Sequence, residues 1–181
     1  MTKERMLTIE DIRNIRASEL PLIVFSDNVR SFLGWCIRAR TKGVYNHCMI
    51  MASPHFFISQ DILFRQVPIE KYLQGAHRLK FVGNRLWSNH AKRSIRADAI
   101  QQAHQPWWKR RYDLLGVVGQ LFGLDSLNIP WLDYCSEKVT NIIRQADPML
   151  VMKHPSPTDL NWYTKEGQKR GYYVYGRYAP D

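Results

Sequence analysis

The first part of the chain alternates between helical and strand-like apolar spacing. Thr8, followed by isoleucines at helical spacing, predicts a capped amphipathic helix that ends before Pro21. The short apolar run 22–25 predicts a β-strand. Residues 28–40 place basic side chains away from an apolar face, which predicts a second helix ending at Gly43.

The segment 45–63 carries two runs of β-favouring residues interrupted at Ser53-Pro54, so it predicts two neighbouring antiparallel strands. Pro68 marks the start of a short predicted helix over 68–74. The remaining predicted elements are a strand over 77–83, helices over 88–104, 112–123 and 135–146, and a final aromatic strand over 171–178. Together these elements predict an α+β fold with a small antiparallel sheet packed by helices.

Length and charge narrow the class of protein. The 181 residues, 45% apolar, suffice for one domain over 1–181 with its core in 21–160. A formal charge of +10 favours anionic partners such as nucleic acid, a cell-wall polymer or a membrane face. Residues 105–113 (QPWWKRRYD) interleave aromatic and basic residues, but no nucleic-acid-binding motif accompanies them. We interpret them as a partly solvated basic turn packed by tryptophans, and we do not expect a nucleic acid partner.

The three cysteines, Cys36, Cys48 and Cys135, cannot all pair and lack the CxxC spacing of zinc or redox sites. They predict a free thiol and no metal or other cofactor. The first twenty residues contain no apolar run of signal-peptide length, and no stretch approaches the roughly 18 apolar residues of a membrane span. We therefore expect no signal peptide, no transmembrane segment and a cytoplasmic location at synthesis.

Cys135 is a candidate nucleophile because it lies in the first turn of the predicted helix 135–146. Unpaired backbone N–H groups and the positive end of the helix dipole favour a thiolate there. The same N–H groups could hold the oxyanion of a tetrahedral intermediate. The alternative is that Cys135, four residues before Val139, is a small buried apolar residue. Cys36 and Cys48 are interpreted as core residues.

His47 opens the first strand of the predicted hairpin and is a candidate base. If the hairpin turns tightly, paired residues have numbers that sum to 107, and Gln60 lies opposite His47. Its amide oxygen could then accept the imidazole N–H and orient the ring toward a thiol. Because the register can shift by a residue or two, Ser59, Asp61 and His55 are alternatives. The simplest alternative is a solvent-exposed histidine at a strand end.

The order of motifs resembles the permuted NlpC-type papain-like superfamily, which includes YiiX-like and YebB-like hydrolases and lecithin:retinol acyltransferase-like enzymes. The motifs are PLIVFSDNVRSFLGWCIRAR (21–40), YNHCMIM (45–51), a second strand with a polar residue, RRYDLLG (110–116), YCSEKV (134–139) and SPTDL (156–160). In this sequence His47 precedes Cys135, which is the order that the permutation produces.

The resemblance implies a permuted papain-like fold with Cys135 as nucleophile, His47 as base and then acid, and Gln60 as the orienting residue. It also places three residues near the site: Tyr112, Tyr134 and Ser136. Related enzymes often carry a carboxylate or histidine at the third position, and a neutral Gln60 would stabilise an imidazolium less. No cofactor is implied.

The expected function is a cysteine hydrolase that cleaves a peptide-type amide of the cell wall, an anionic polymer that suits the basic charge. Without a signal peptide, such an enzyme would reach its substrate as a phage or virion protein or after lysis. The alternatives are a lipid amidase or acyltransferase, which needs an apolar groove beside Cys135, and a non-catalytic binding module of a large assembly that keeps the same fold.

Overall fold

A six-stranded antiparallel sheet lies at the centre of the part of the chain that the structure describes. The structure is a computed structural model that describes residues 4–28, 32–60, 63–74, 77–110, 135–152 and 155–180. The strands are β1 (Leu22–Asn28), β2 (His47–Ser53), β3 (Phe56–Gln60), β4 (Phe64–Pro68), β5 (His77–Asn84) and β6 (Tyr172–Tyr178). Their order across the sheet is β4-β3-β2-β1-β5-β6. The predicted α+β class with an antiparallel sheet is confirmed.

Helices pack against both faces of this sheet. They are α1 (Ile9–Arg13), α2 (Phe32–Thr41), α3 (Glu70–Leu73), α4 (Asn89–Ala103), α5 (Cys135–Arg144) and α6 (Pro157–Glu166). The side chains of Thr8 and Ser156 each accept a backbone N–H of the first helical turn, and an aspartate three residues later completes a capping box. The helix predicted over 112–123 lies outside the described residues.

Side chains alternate along β1, so this strand contributes to two separate apolar clusters. Ile23 and Phe25 belong to the cluster covered by α4, α5 and α6, and we call this side of the sheet the α5 face. Leu22 and Val24 belong to the cluster covered by α1 and α3, which we call the α3 face. Both faces of β1 are buried because helices cover the sheet on both sides of this strand. This double burial explains why its sequence is a continuous apolar run.

The strand β4 is missing from the sequence-based prediction. It lies at the edge of the sheet and buries Phe64 and Val67 while Arg65 and Gln66 remain exposed. Two adjacent exposed residues break the strict alternation that identifies a half-buried strand. Pro68 ends this strand, and an edge position tolerates its missing N–H. The short helix expected over 68–74 is observed as α3.

Candidate active site

His47 is the first residue of β2, and a buried carboxylate fixes the chain just before it. The carboxylate of Asp27, at the end of β1, is fully buried and accepts hydrogen bonds from three side chains: Arg38, Arg78 and Asn46. A carboxylate without such partners would be costly to bury. The cluster therefore positions Asn46, and with it His47, at the end of the sheet.

On the α3 face, the imidazole of His47 contacts two hydroxyl groups. Its Nε2 atom lies 2.8 Å from the Oγ atom of Ser59 and 3.4 Å from the hydroxyl oxygen of Tyr72. The Ser59 Oγ and Tyr72 hydroxyl oxygens are 2.7 Å apart. Ser59 is on β3 and Tyr72 is on α3, and both residues are buried. Three elements thus converge on one nitrogen of the imidazole.

The pairing of β2 with β3 decides which residue of β3 meets this nitrogen. Met49 pairs with Ser59, so the numbers of paired residues sum to 108 rather than to the predicted 107. Continued by one residue, this register sets Gln60 opposite Cys48 instead of His47. The predicted register is therefore wrong by one residue. Ser59, an alternative in the sequence analysis, is hydrogen-bonded to the imidazole.

On the α5 face, the sulfur atom of Cys135 lies among hydrogen-bond donors. Cys135 is the first residue of α5, where the backbone N–H groups have no partner within the helix. Its sulfur accepts hydrogen bonds from the thiol and the backbone N–H of Cys48 and from the imidazole of His47. Cys48 and Cys135 are both free and buried. The structure therefore brings together the two residues that the sequence analysis proposed as nucleophile and base.

The two thiols differ in their pKa values. The hydrogen bond from Cys48 is the largest cause that lowers the pKa of the Cys135 thiol well below its usual value. Burial opposes this shift, and the charge and the hydrogen bond of His47 add to it. Burial raises the pKa of the Cys48 thiol well above its usual value, and the neighbouring Cys135 raises it further. Of the two thiols, Cys135 is therefore the one that loses its proton more readily, and Cys48 is the one that keeps it.

The imidazole of His47 connects the two faces of the sheet. Its Nε2 atom is bonded to Ser59 on the α3 face, and the ring also interacts with the Cys135 thiol on the α5 face. A side chain in the middle of a strand points to one face only, whereas a ring at the strand end can contact groups on both sides. An imidazole held at one nitrogen and facing a thiol with the other is the arrangement that activates a cysteine nucleophile.

The other residues expected near the site have different outcomes. Ser136 is fully buried, and its hydroxyl donates to the carbonyl oxygen of Pro155. This bond ties the start of α5 to the segment before α6, so Ser136 supports the position of Cys135. Tyr112 and Tyr134 lie outside the described residues.

Sequence reasoning did not assign a site role to Cys48 or Tyr72. The sequence predicts that Cys48 is a core residue. It is buried, and its thiol also forms a hydrogen bond with the sulfur atom of Cys135. Tyr72 lies in a helix of four residues, and its sequence position shows only that it faces the core. Alternation along the hairpin placed Cys48 on the face opposite to His47. It gave no signal for the contact with α5.

The described part of the basic aromatic segment, residues 105–110, lies at the surface. Trp107–Lys109 is a short 3₁₀ helix, so the predicted turn is observed. Trp107 and Trp108 contact each other edge to face, with ring centroids 6.1 Å apart, yet both are more than half exposed. The tryptophans of this partly solvated turn therefore pack against each other while more than half of each stays exposed.

Neither metal-binding groups nor relatives of known function indicate a second candidate site in the described part of the chain. In the described part of the chain, no group of three or more His, Cys, Asp or Glu residues could hold a metal ion. None of the helices within those ranges has the length and apolar character needed to cross a membrane. No model of a protein family matches the sequence, and no curated protein matches it at a significant level. The functional inference depends on the geometry of His47, Ser59 and Cys135.

Proposed function

We propose that this protein is a cysteine hydrolase in which Cys135 is the nucleophile, His47 the general base and Ser59 the orienting residue. The observation that supports this function best is the position of the His47 imidazole between the Ser59 hydroxyl and the Cys135 sulfur. A lowered pKa of the Cys135 thiol agrees with it, because the thiolate is the reactive form. The fold that suits this proposal is the permuted papain-like one, with the nucleophile at the start of a helix packed on the histidine strand.

The proposed reaction is acyl transfer to water in two steps. The Cys135 thiolate attacks the carbonyl carbon of the substrate, and the backbone N–H groups at the start of α5 stabilise the oxyanion. His47 donates a proton to the leaving amine as the C–N bond breaks, which leaves a thioester on Cys135. His47 then accepts a proton from water, and the hydroxide attacks the thioester and releases the acid.

The substrate that we propose is a peptide-type amide of a cell-wall polymer. The formal charge of +10 favours an anionic polymer, and thioester chemistry of this kind suits amides and esters alike. A lipid amide or ester is the alternative substrate within the same reaction class. The two substrates differ in their products, because only the lipid would release a fatty acid.

One observation favours a non-catalytic binding module as a second candidate. Cys135 is only 3% exposed, and a nucleophile must be reached by its substrate. Alkylation of the folded protein with iodoacetamide separates the two candidates. Modification of Cys135, located by mass spectrometry of peptides, is expected for the enzyme, whereas complete protection of Cys135 under native conditions would favour the binding module.

The hydrolase proposal is tested with purified peptidoglycan and with fatty-acyl amides. We expect Cys135→Ala and His47→Asn to lower kcat/KM by roughly a thousandfold or more, as losses of a nucleophile or its base do. His90→Asn is the matched control, since His90 is exposed on α4. New amine groups and free fatty acid are measured separately. Equal activity of Cys135→Ala and wild type on the cleaved substrate would refute the proposal.

A further inference from the structure

The contacts of Tyr72 suggest a role beyond packing on the α3 face. Its hydroxyl oxygen lies 2.7 Å from the Ser59 Oγ atom and 3.4 Å from His47 Nε2. Tyr72 is 2% exposed and Ser59 is fully buried, so protein groups must determine the orientation of both hydroxyls. Solvent cannot reorient them freely. The network is therefore held in place by the fold.

The ring of Tyr72 is fixed from two sides. It contacts Phe57 edge to face at 5.5 Å between ring centroids and His77 at 4.9 Å. His77 is in turn held by a hydrogen bond of 2.9 Å between its Nδ1 atom and the Ser26 hydroxyl. These contacts leave the phenol oxygen directed at the end of the sheet where the His47 ring lies.

A serine hydroxyl has one proton to donate and two lone pairs that accept, so the direction of its proton decides where its lone pairs point. Tyr72 matters because it can fix the direction of the Ser59 proton. To accept the N–H of an imidazolium at Nε2, the Ser59 oxygen must direct its own proton elsewhere. The Tyr72 oxygen, at 2.7 Å, is an acceptor in the required position. If Ser59 instead donated to Nε2, it would stabilise the neutral imidazole and weaken the pairing of His47 with a thiolate.

We propose that Tyr72 is a positioning residue that acts through Ser59 to direct a hydroxyl lone pair at Nε2 and so stabilises His47 as an imidazolium facing Cys135. This inference rests on the proposed function for its catalytic meaning. The effect that we assign to Tyr72 is the orientation of the Ser59 hydroxyl, and its consequence for Cys135 can be measured without any substrate. Tyr72 thereby supplies part of what a carboxylate or amide supplies in a triad.

Other titratable and charged groups surround this network, and a pH profile must be interpreted with them in view. Lys71 Nζ lies 5.6 Å from the centroid of the Tyr72 ring, and Arg65 pairs with Ser59 across β3 and β4. Among the described residues, the titratable groups in contact with, or next to, the network include His77, Lys71, Arg65, Glu70, Cys48 and Cys135. A substitution at Tyr72 changes none of these groups chemically.

The test is the pH dependence of Cys135 alkylation by iodoacetamide in the full chain. We expect Tyr72→Phe to move the midpoint up by about half a pH unit and to slow alkylation at about pH 6 by roughly threefold. Tyr178→Phe is the matched control, because the Tyr178 hydroxyl is also buried on the α3 face but donates to the Leu73 carbonyl at 2.7 Å. We expect its profile to match that of wild type.

A profile of Tyr72→Phe that coincides with wild type, in a folded protein, would overturn the inference. If this variant does not fold, 3-fluorotyrosine incorporated at position 72 keeps the ring and the hydroxyl but makes the oxygen a weaker acceptor. The midpoint should then rise as well, and an unchanged midpoint would overturn the inference. If Cys135 in the folded protein is protected from iodoacetamide, the same midpoint is measured from the ¹⁵N chemical shifts of the His47 ring, and an unchanged midpoint in Tyr72→Phe again overturns the inference. Because neither measurement needs a substrate, an absence of hydrolase activity would affect the proposed function and leave this result intact.

Discussion

The His47 imidazole has different neighbours on the two faces of the sheet. On the α5 face it meets sulfur, since Cys135 accepts hydrogen bonds from Cys48 and from His47. On the α3 face it meets hydroxyl groups, those of Ser59 and Tyr72. Alternation along β2 and β3 separates these environments, and only a residue at the strand end touches both. The thiol proposed as nucleophile therefore lies on the α5 face, and the hydroxyl groups that orient the proposed base lie on the α3 face.

The faces also differ in the charges that they bury. Asp27 and Lys80 are buried on the α5 face, where Lys80 Nζ lies 5.8 Å from the centroid of the Phe25 ring. The neighbours of Lys80 along β5, Leu79 and Phe81, belong to the apolar cluster of the α3 face. The α5 face therefore buries charged groups, whereas uncharged hydroxyls contact the imidazole on the α3 face.

The largest effect is expected from Asp27→Asn, which would loosen the end of the sheet that both faces share. The amide keeps the shape but loses the charge that Arg38 and Arg78 pair with. Breaking a buried ion pair typically costs 3–5 kcal/mol, and because both guanidinium groups are partly exposed, we expect a loss of about 3 kcal/mol. Urea unfolding measures the change in the free energy of unfolding.

Glu70→Gln is the matched control for this substitution. Glu70 pairs with Arg13 at 3.2 Å, and both side chains are exposed to solvent. An exposed ion pair of this kind contributes about 0–1 kcal/mol. If Asp27→Asn cost no more than Glu70→Gln, the buried cluster would not be what fixes the position of His47.

Cys48→Ala is a smaller change, confined to the α5 face. It removes the thiol that is the largest cause of the low pKa of Cys135 but keeps the backbone N–H donor. We expect the pKa of Cys135 to rise and alkylation at about pH 6 to slow by roughly tenfold. This exceeds the change expected for Tyr72→Phe, because Cys48 touches the sulfur directly whereas Tyr72 acts through two other groups.

Cys48→Ser distinguishes the hydrogen bond from the loss of volume. A hydroxyl at this position still donates to the Cys135 sulfur, so the alkylation rate should lie closer to wild type than to Cys48→Ala. A serine variant as slow as the alanine variant would show that the donor at position 48 does not control the thiolate.

The sequence predicts the proposed nucleophile and base of this site better than it predicts the residues that contact the base. His47 and Cys135 are candidates in the sequence because each begins a predicted element and because the order of motifs resembles the permuted papain-like superfamily. The sequence favours Gln60 over Ser59 because it does not show that the hairpin turns at Pro54-His55 rather than at Ser53-Pro54, nor that the pairing then shifts by one residue between Met51 and Ser53. Tyr72 reaches the site through tertiary packing of α3, for which the local sequence has no signal.

The α5 face also contains a buried ammonium group whose cost depends on pH. Burial and, to a smaller extent, the nearby Arg177 lower the pKa of Lys80 from 10.5 to about 8. The Nζ atom donates to the Asn161 side chain at 2.8 Å. Because the folded-state pKa lies below the unfolded one, burial of the charge destabilises the protein fully below about pH 8. The cost is relieved as the pH rises from about 8 toward 10.5.

Lys80→Met is therefore expected to stabilise the protein at neutral pH, by about 1 kcal/mol. The shift in pKa corresponds to a larger gain, roughly 3 kcal/mol, but methionine forfeits the hydrogen bond to Asn161 and the contact of the ammonium with the Phe25 ring. Urea unfolding should show the variant more stable than wild type at about pH 7 and less stable at about pH 10, because the cost of burying the ammonium falls by roughly 2 kcal/mol between these pH values. A gain in stability that does not change with pH would indicate that Lys80→Met acts through better apolar packing on the α5 face. The buried ammonium would then not be a difference in charge that distinguishes the two faces.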